Sequence, residues 1–203
     1  MMKVLGLTGP TGAGKGAVSS LLWDMYQIPS IDTDRVYHDL LKPPSACLNE
    51  LVYHFGSVIL TEHGELNRAA LSKIVFSDPT RRKQQLLNQI THKYVLDQTR
   101  NILTSYRDRR FPAAIVDAPL LYESGFDAEC DAVIAVLAPQ SIRKERIISR
   151  DGLSEERATA RLNMQKSDDF YRKKTPHIII NDGDMVALQQ QVISIASLLG
   201  VNR

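Results

Sequence analysis

The sequence predicts an α/β fold in which helices cover a doubly wound, five-stranded parallel sheet. Short, continuous runs rich in Val and Ile are typical of strands buried on both faces of such a sheet. Helical patterns separate these runs, so that strand and helix alternate along the chain. A glycine-rich motif directly follows the first run, where a strand-loop-helix unit needs a turn. The predicted strands are 4–7, 30–31, 113–116, 132–137 and 178–180.

The first predicted strand leads into Gly-Pro-Thr-Gly-Ala-Gly-Lys at residues 9–15, called the phosphate loop below. Its glycines allow the backbone to wrap around a polyphosphate, while N–H groups and the N-terminus of the next helix point at the anion. Lys15 would reach the β and γ phosphates. A helix is predicted at 17–26. A glycine-rich turn without a ligand is the alternative, and the strand and helix around the motif favour the nucleotide site.

The residue after Lys15 departs from the usual form of this motif. A Ser or Thr there provides a hydroxyl ligand for Mg²⁺. This chain has Gly16, followed by Ala17. ATP and Mg²⁺ are the predicted cofactors, and the missing hydroxyl means that Mg²⁺ must rely on water, ATP and a carboxylate.

Polar side chains follow three further strands, and ligands of open α/β sheets bind beyond the carboxyl ends of the strands. Asp32 and Asp34 follow the second strand, Asp117 closes the third, and residues 181–183 follow the fifth. For any single Asp, a helix cap or a turn is the alternative. We predict that Asp117 holds the Mg²⁺ shell and that Asp34 accepts the proton of an attacking hydroxyl. Asp32 would project to the side opposite Asp34 if the chain is extended there.

Residues 35–110 contain helical stretches and no convincing strand, so we interpret them as an insertion into one domain whose core is 1–34 and 111–203. The last third of the chain is rich in arginine. Ser154 is predicted to cap a helix on which Arg157, Arg161 and Gln165 share one face. This face is either merely solvated or part of a lid, about residues 146–170, that closes over ATP and excludes water.

Composition excludes several classes of protein. The 203 residues are 43% hydrophobic, enough for an ordinary core, and the formal net charge of +2 gives nucleic-acid binding no support. Cys47 and Cys130 lack the spacing of a disulfide framework or a zinc site, so they are predicted to be small buried residues. With no apolar segment of signal-peptide or membrane-spanning length, a cytoplasmic protein is expected.

Six segments of the chain resemble the dephospho-coenzyme A kinase family, and in order they cover almost its whole length. The resemblance implies a P-loop kinase fold with a helical acceptor-binding insertion and a helical lid. It also implies transfer of the ATP γ-phosphoryl group to the ribose 3′-hydroxyl of dephospho-coenzyme A. The segments are 31–34 (IDTD), 64–68 (GELNR), 75–79 (VFSDP), 117–123 (DAPLLYE), 150–156 (RDGLSEE) and 180–183 (INDG).

The resemblance further implies a role for individual residues. The ATP phosphates are held by Gly12, Ala13, Gly14, Lys15, Gly16 and Ala17, and the adenine is flanked by Asn181, Asp182 and Gly183. The catalytic residues are Asp34 as the base, Lys15, Arg146 and Arg150. The acceptor side comprises Asp34, Arg68, His92, Asp117 and Leu120, and Asp117 is also the metal ligand.

Two other functions stay open at this point. One is a different small-molecule or nucleoside monophosphate kinase. The motifs of the insertion disfavour this alternative. The other is a nucleotide-binding relative with impaired catalysis, which Gly16 favours and the retained Asp34 and Asp117 disfavour. The expected partner is the small molecule dephospho-coenzyme A, with no nucleic acid and no membrane, and the sequence leaves the oligomeric state open.

Overall fold

The computed structural model describes residues 1–201, and within them five strands alternate with nine α-helices. The strands are β1 (Lys3–Thr8), β2 (Ser30–Asp32), β3 (Ala113–Asp117), β4 (Ala132–Leu137) and β5 (His177–Ile180). The helices are α1 (Lys15–Tyr26), α2 (Thr33–Leu40), α3 (Ala46–Phe55), α4 (Arg68–Phe76), α5 (Arg82–Asp108), α6 (Gln140–Asp151), α7 (Glu155–Asn163), α8 (Asp168–Lys174) and α9 (Met185–Leu198).

The five strands form one sheet in the order β2-β3-β1-β4-β5. β1 runs parallel to both β3 and β4, and β4 runs parallel to β5. The chain therefore winds to both sides of β1, and the loop after β1 lies at the central carboxyl edge of the sheet. All five predicted strands are confirmed. The apolar runs that identified four of them are buried or half-buried in the sheet, whereas in β2 only Ile31 is buried.

The chain divides into two compact units. The first consists of Met1–Ile31 and the chain from Ser105 onward, and it contains most of the sheet. Its core packs Leu5 and Leu7 of β1 against Val18 of α1 and Leu188 of α9. Burial of these apolar side chains supplies the main driving force for folding this unit.

The second unit, Asp32–Thr104, is helical and has its own apolar core. Cys47 and Leu51 of α3 pack there with Val75 of α4 and Ile90 of α5. Between residues 34 and 110 the structure has no strand, only one isolated bridge that pairs Leu60 with Leu66. The helical character predicted for this stretch is confirmed.

Three local expectations are corrected. The helix after the phosphate loop begins at Lys15 rather than residue 17, because Gly14 adopts a left-handed conformation (φ 97°) that turns the chain into the helix. The helix capped by Ser154 ends at Asn163, since Met164 closes it, so Gln165 lies beyond the helix and shares no face with Arg161. Cys130 is only partly buried, whereas Cys47 is fully buried, and both thiols are free.

None of the helices in residues 1–201 combines the length and the apolar character that crossing a membrane requires.

Candidate active site

The phosphate loop connects β1 to the N-terminus of α1, where unpaired N–H groups and the helix dipole favour an anion. Gly14 is required at the end of the loop because a Cβ there would lie 2.1 Å from Nδ2 of Asn181. The Nζ of Lys15 donates to the carbonyl of Gly9 at 3.1 Å, so the ammonium group lies across the loop. The strand, loop and helix thus have the arrangement of a polyphosphate site.

Two side chains from other elements fix the shape of the loop. Asn181, which follows β5 and is buried, donates through Nδ2 to the carbonyl of Ala13 at 2.8 Å. Arg146 of α6 donates through Nη1 to the carbonyls of Gly12 and Ala13 at 3.4 and 3.3 Å. Its Nη2 donates to Oδ1 of Asn181 at 3.4 Å. These contacts direct the loop carbonyls toward the protein.

Residues 181–183 were predicted to flank an adenine. The structure places the side chain of Asn181 beneath the phosphate loop, where its amide is engaged by Ala13 and Arg146. Asp182 and Gly183 are exposed. The sequence motif therefore combines a loop-supporting side chain with two accessible residues, and adenine contact stays a prediction.

The surroundings of Gly16 are open. Apart from its chain neighbours and the backbone of α1, no heavy atom lies within 4 Å of a Cβ added to this residue, so either a hydroxyl side chain or water molecules fit there. Among residues 1–201, no group of three or more His, Cys, Asp and Glu side chains is placed to hold a metal ion. Carboxylate oxygens, water and phosphate oxygens are the ligands that Mg²⁺ prefers in nucleotide sites.

Asp117 lies at the carboxyl end of the strand beside β1. It is the last residue of β3 and pairs in register with Leu7 of β1, the strand that leads into the phosphate loop. The next N–H, of Ala118, donates to the carbonyl of Leu7 at 3.0 Å. Leu120 follows on the same connection and is 54% exposed.

An arginine pair and one carboxylate form a small network where α6 meets α7. Arg150 donates to Asp151 through Nε at 2.7 Å and through Nη2 at 3.0 Å. Arg161 donates to the same carboxylate at 2.7 Å. The pKa of Asp151 is lowered, chiefly by the hydrogen bond from Arg150. The two bonds that Arg150 donates hold its guanidinium against Asp151.

Asp32 is extended at the end of β2, but the chain turns into α2 at Thr33, so the condition under which Asp32 and Asp34 would project to opposite sides is not met. Asp32 caps α2, because its Oδ1 accepts from the N–H groups of Asp34 at 2.9 Å and Arg35 at 3.1 Å. Asp34 lies in the first turn of α2 and is exposed. The capping role, one of the alternatives for each Asp, belongs to Asp32.

Arg68 begins α4 and lies beside an apolar cavity of about 180 Å³ within the second unit. Its Nη2 lies 2.6 Å from Nδ1 of His38. Tyr37 and Phe76 also line the cavity. The pKa of Tyr37 is raised, mainly by burial. An arginine at the edge of an apolar cavity can bind an anionic group whose neighbouring atoms are apolar.

His92 is half-buried in α5. The two residues after it bind Glu50 of α3, with Tyr94 Oη donating at 2.6 Å and Lys93 Nζ at 3.2 Å. The pKa of Glu50 is lowered, first by the Tyr94 hydrogen bond. Sequence reasoning missed this contact because nothing in the local pattern signals a pairing between residues 50 and 94.

Several known proteins with similar sequences or structures are dephospho-CoA kinases. The family model described as dephospho-CoA kinase matches residues 3–187. A dephospho-CoA kinase of Moorella thermoacetica is 38% identical over 193 residues, which cover 94% of this chain and 89% of the relative.

Two solved structures are also similar. A protein from Thermus thermophilus has a TM-score of 0.81 at 28% identity, covering 100% of this chain and 99% of its own. A dephospho-CoA kinase from Campylobacter jejuni has a TM-score of 0.69 at 25% identity, covering 97% and 96%.

Proposed function

Since this chain belongs to the dephospho-CoA kinase family, we infer that it transfers the γ-phosphoryl group of ATP to the ribose 3′-hydroxyl of dephospho-CoA. The products are coenzyme A and ADP, and the reaction is the last step of coenzyme A synthesis. The observation that carries this conclusion is the family match across residues 3–187, which includes the phosphate loop between β1 and α1. The enzyme is a phosphotransferase.

We propose that residues 12–17 bind the ATP phosphates. The support is geometric, because Asn181 and Arg146 occupy loop carbonyls and α1 begins at Lys15. Lys15 would exchange its contact with the Gly9 carbonyl for the β and γ phosphates. Preorganised positive charge of this kind stabilises the charge that develops on the transferred group.

Mg²⁺ is the second proposed cofactor. Asp117 would contribute a carboxylate, and the open space beside Gly16 would accept metal-bound water. The ion would neutralise phosphate charge when bound with ATP.

Asp34 is proposed as the general base. The 3′-oxygen of the acceptor forms a bond to the γ-phosphorus, the bond from that phosphorus to the β–γ bridging oxygen breaks, and ADP leaves. The hydroxyl proton passes to the Asp34 carboxylate. Of the two aspartates, Asp32 serves as the cap of α2, whereas Asp34 lies in the first turn of the helix. Arg146 and Arg150 would stabilise the developing charge.

The remaining residues are proposed to bind the organic parts of the two substrates. The proposed acceptor contacts are Arg68, beside its cavity, His92, Leu120 and Asp117. Asp182 and Gly183, both exposed, would flank the adenine of ATP.

An ADP-release assay tests the function. Dephospho-CoA and a panel of nucleoside monophosphates are compared as acceptors at fixed ATP and Mg²⁺. Among these acceptors, we expect only dephospho-CoA to be phosphorylated. In the Lys15→Ala variant the turnover rate should fall about a hundredfold, because a charge-stabilising contact is lost. Turnover with a nucleoside monophosphate would favour the other kinase class, whereas ATP binding without turnover would favour an inactive relative.

A further inference from the structure

The segment that leads from α7 into the first residue of α8, residues 165–168, contacts the phosphate loop through Gln165. We call this segment the strap. Oε1 of Gln165 accepts from the N–H of Thr11 at 3.2 Å. Thr11 directly precedes Gly12, so the contact lies at the start of the residues proposed to bind phosphate. The backbone N–H of Gln165 donates to Leu162 at 3.0 Å, which ties the strap to the end of α7.

Arg143 of α6 connects the strap to the phosphate loop, because it contacts both Gly12 of the loop and Asp168 of the strap. The backbone of Arg143 packs so closely against Gly12 that a Cβ on this glycine would lie 2.7 Å from the Arg143 carbonyl oxygen. The side chain of Arg143 is 10% exposed, and its Nη2 lies 3.7 Å from Oδ1 of Asp168. Asp168 is the last residue of the strap and the first of α8.

Arg143 is unusual in energetic terms. Its Nε and Nη1 are buried and have no hydrogen-bond partner among residues 1–201. A buried guanidinium with unused donors destabilises a folded protein relative to an apolar side chain of similar size. Packing alone therefore gives no reason for an arginine here, whereas a charge that attracts Asp168 does.

We propose that Gln165 and Arg143 are positioning residues, which hold the strap against Thr11 and Gly12 and thereby keep the phosphate loop in its ATP-binding shape. The proposal rests on the kinase function inferred above. Without the strap the loop would adopt the binding shape for only part of the time, and the apparent affinity for ATP falls in proportion to that fraction. A loop that is competent for about a tenth to a fifth of the time binds about five- to tenfold more weakly.

The test uses the variants Gln165→Met and Arg143→Met, which keep side-chain length but remove the acceptor or the charge. We measure the Kd of a fluorescent ATP analogue, KM and kcat with dephospho-CoA, and Tm. Each variant is expected to raise Kd and the KM for ATP by about five- to tenfold. Arg143→Met leaves the buried Oδ1 of Asp168 without its cation, so a lower Tm that Arg143→Lys restores is consistent with the proposal.

Matched variants separate positioning from packing. Gln165→Glu keeps an acceptor oxygen in reach of the Thr11 N–H, and Arg143→Lys keeps the charge, so both should recover most of the affinity. Lys144→Met, at the adjacent α6 residue that binds Glu155, should resemble the parent. Affinities within twofold of the parent in both Met variants would overturn the strap proposal, as would a lower Tm without rescue by Glu or Lys. A parent that neither binds nor uses ATP would instead overturn the kinase function on which the proposal rests.

Discussion

Asp32 and Asp34 show how neighbouring residues of the same type take different positions at the start of one helix. The Asp32 carboxylate accepts two backbone N–H groups and caps α2, whereas Asp34 lies within the first helical turn. An N-cap needs only a side-chain oxygen, so Asn serves as well as Asp there. A general base needs a group that can take up a proton, which an amide does not provide.

Asp34→Asn is therefore expected to lower kcat by about 10²–10⁴, because the isosteric amide cannot accept the hydroxyl proton. The Kd for ATP should change little, since the base acts on the acceptor. Steady-state kinetics and ATP titration measure the two effects. Asp32→Asn is the matched control, with near-parental kcat. An Asp34→Asn protein that loses ATP binding yet turns over bound substrate normally would contradict the base assignment.

Because Gly16 has no hydroxyl, we expect the enzyme to need a higher Mg²⁺ concentration for half-maximal activity than its Gly16→Ser variant needs. Gly16→Ser would add a hydroxyl where, apart from chain neighbours and the backbone of α1, no heavy atom lies within 4 Å of the new Cβ, so the side chain fits and can replace one metal-bound water. We expect half-maximal activity of this variant at a lower Mg²⁺ concentration than the parent needs. A Mg²⁺ titration of both proteins at fixed ATP measures it. Identical curves would show that water fully replaces the missing ligand.

Among the helices, α5 illustrates how a short polar segment sets where a long helix begins. Asp78 accepts from the N–H and hydroxyl of Thr80 at 3.0 and 2.6 Å, and from the N–H of Lys83 at 3.0 Å. Lys83 lies in the first turn of α5, whose N–H groups have no partner within the helix. Asp78 thus joins the turn before α5 to its first residues.

This contact gives stability a defined dependence on pH. The hydrogen bond from the Thr80 hydroxyl, with backbone bonds from Lys83 and Thr80, lowers the pKa of Asp78 to about 2. Because the folded pKa is depressed, the stabilisation is present above the unfolded pKa of about 4 and is lost as pH falls toward 2. Asp78→Ala should lower Tm by a few degrees at pH 7, and by much less near pH 2. Thermal melts between pH 2 and pH 7 measure this change in Tm, with Asp24→Ala, at an exposed position, as the control. An equal decrease in Tm at both pH values would contradict the proposed pKa shift of Asp78.

The elements also show what the sequence can and cannot predict. Four strands were predictable because burial on both faces leaves a continuous apolar run, and β2 was predictable from its position after α1. The end of α7 was not, because Gln165 fits the helical spacing and is instead held by the N–H of Thr11, far away in sequence. Asn181 likewise follows β5 as the motif requires, but its bond to Ala13 depends on how distant strands are brought together. Side chains that support the loop are therefore harder to predict than the loop itself.

At the scale of the whole molecule, the phosphate loop draws its support from distant parts of the first unit. Arg146 comes from α6, Asn181 from the end of β5 and Gln165 from the segment after α7. These contacts exist only when the unit is folded. An unfolded chain therefore has no ATP site, and ATP binding must stabilise the native state.

The increase in Tm that ATP binding causes can be estimated from the ATP concentration and Kd. A ligand at a hundred times its Kd stabilises the folded state by about 2.7 kcal/mol. For a protein of this size that corresponds to a rise in Tm of roughly 5–10 °C. We expect this shift for the parent with ATP and Mg²⁺, and a much smaller shift for Lys15→Ala at the same concentrations, because the γ phosphate loses its positive partner. Lys173→Ala, which removes an exposed charge in the last turn of α8, is the control and should shift like the parent. Equal shifts in Lys15→Ala and the parent would place ATP elsewhere than the phosphate loop.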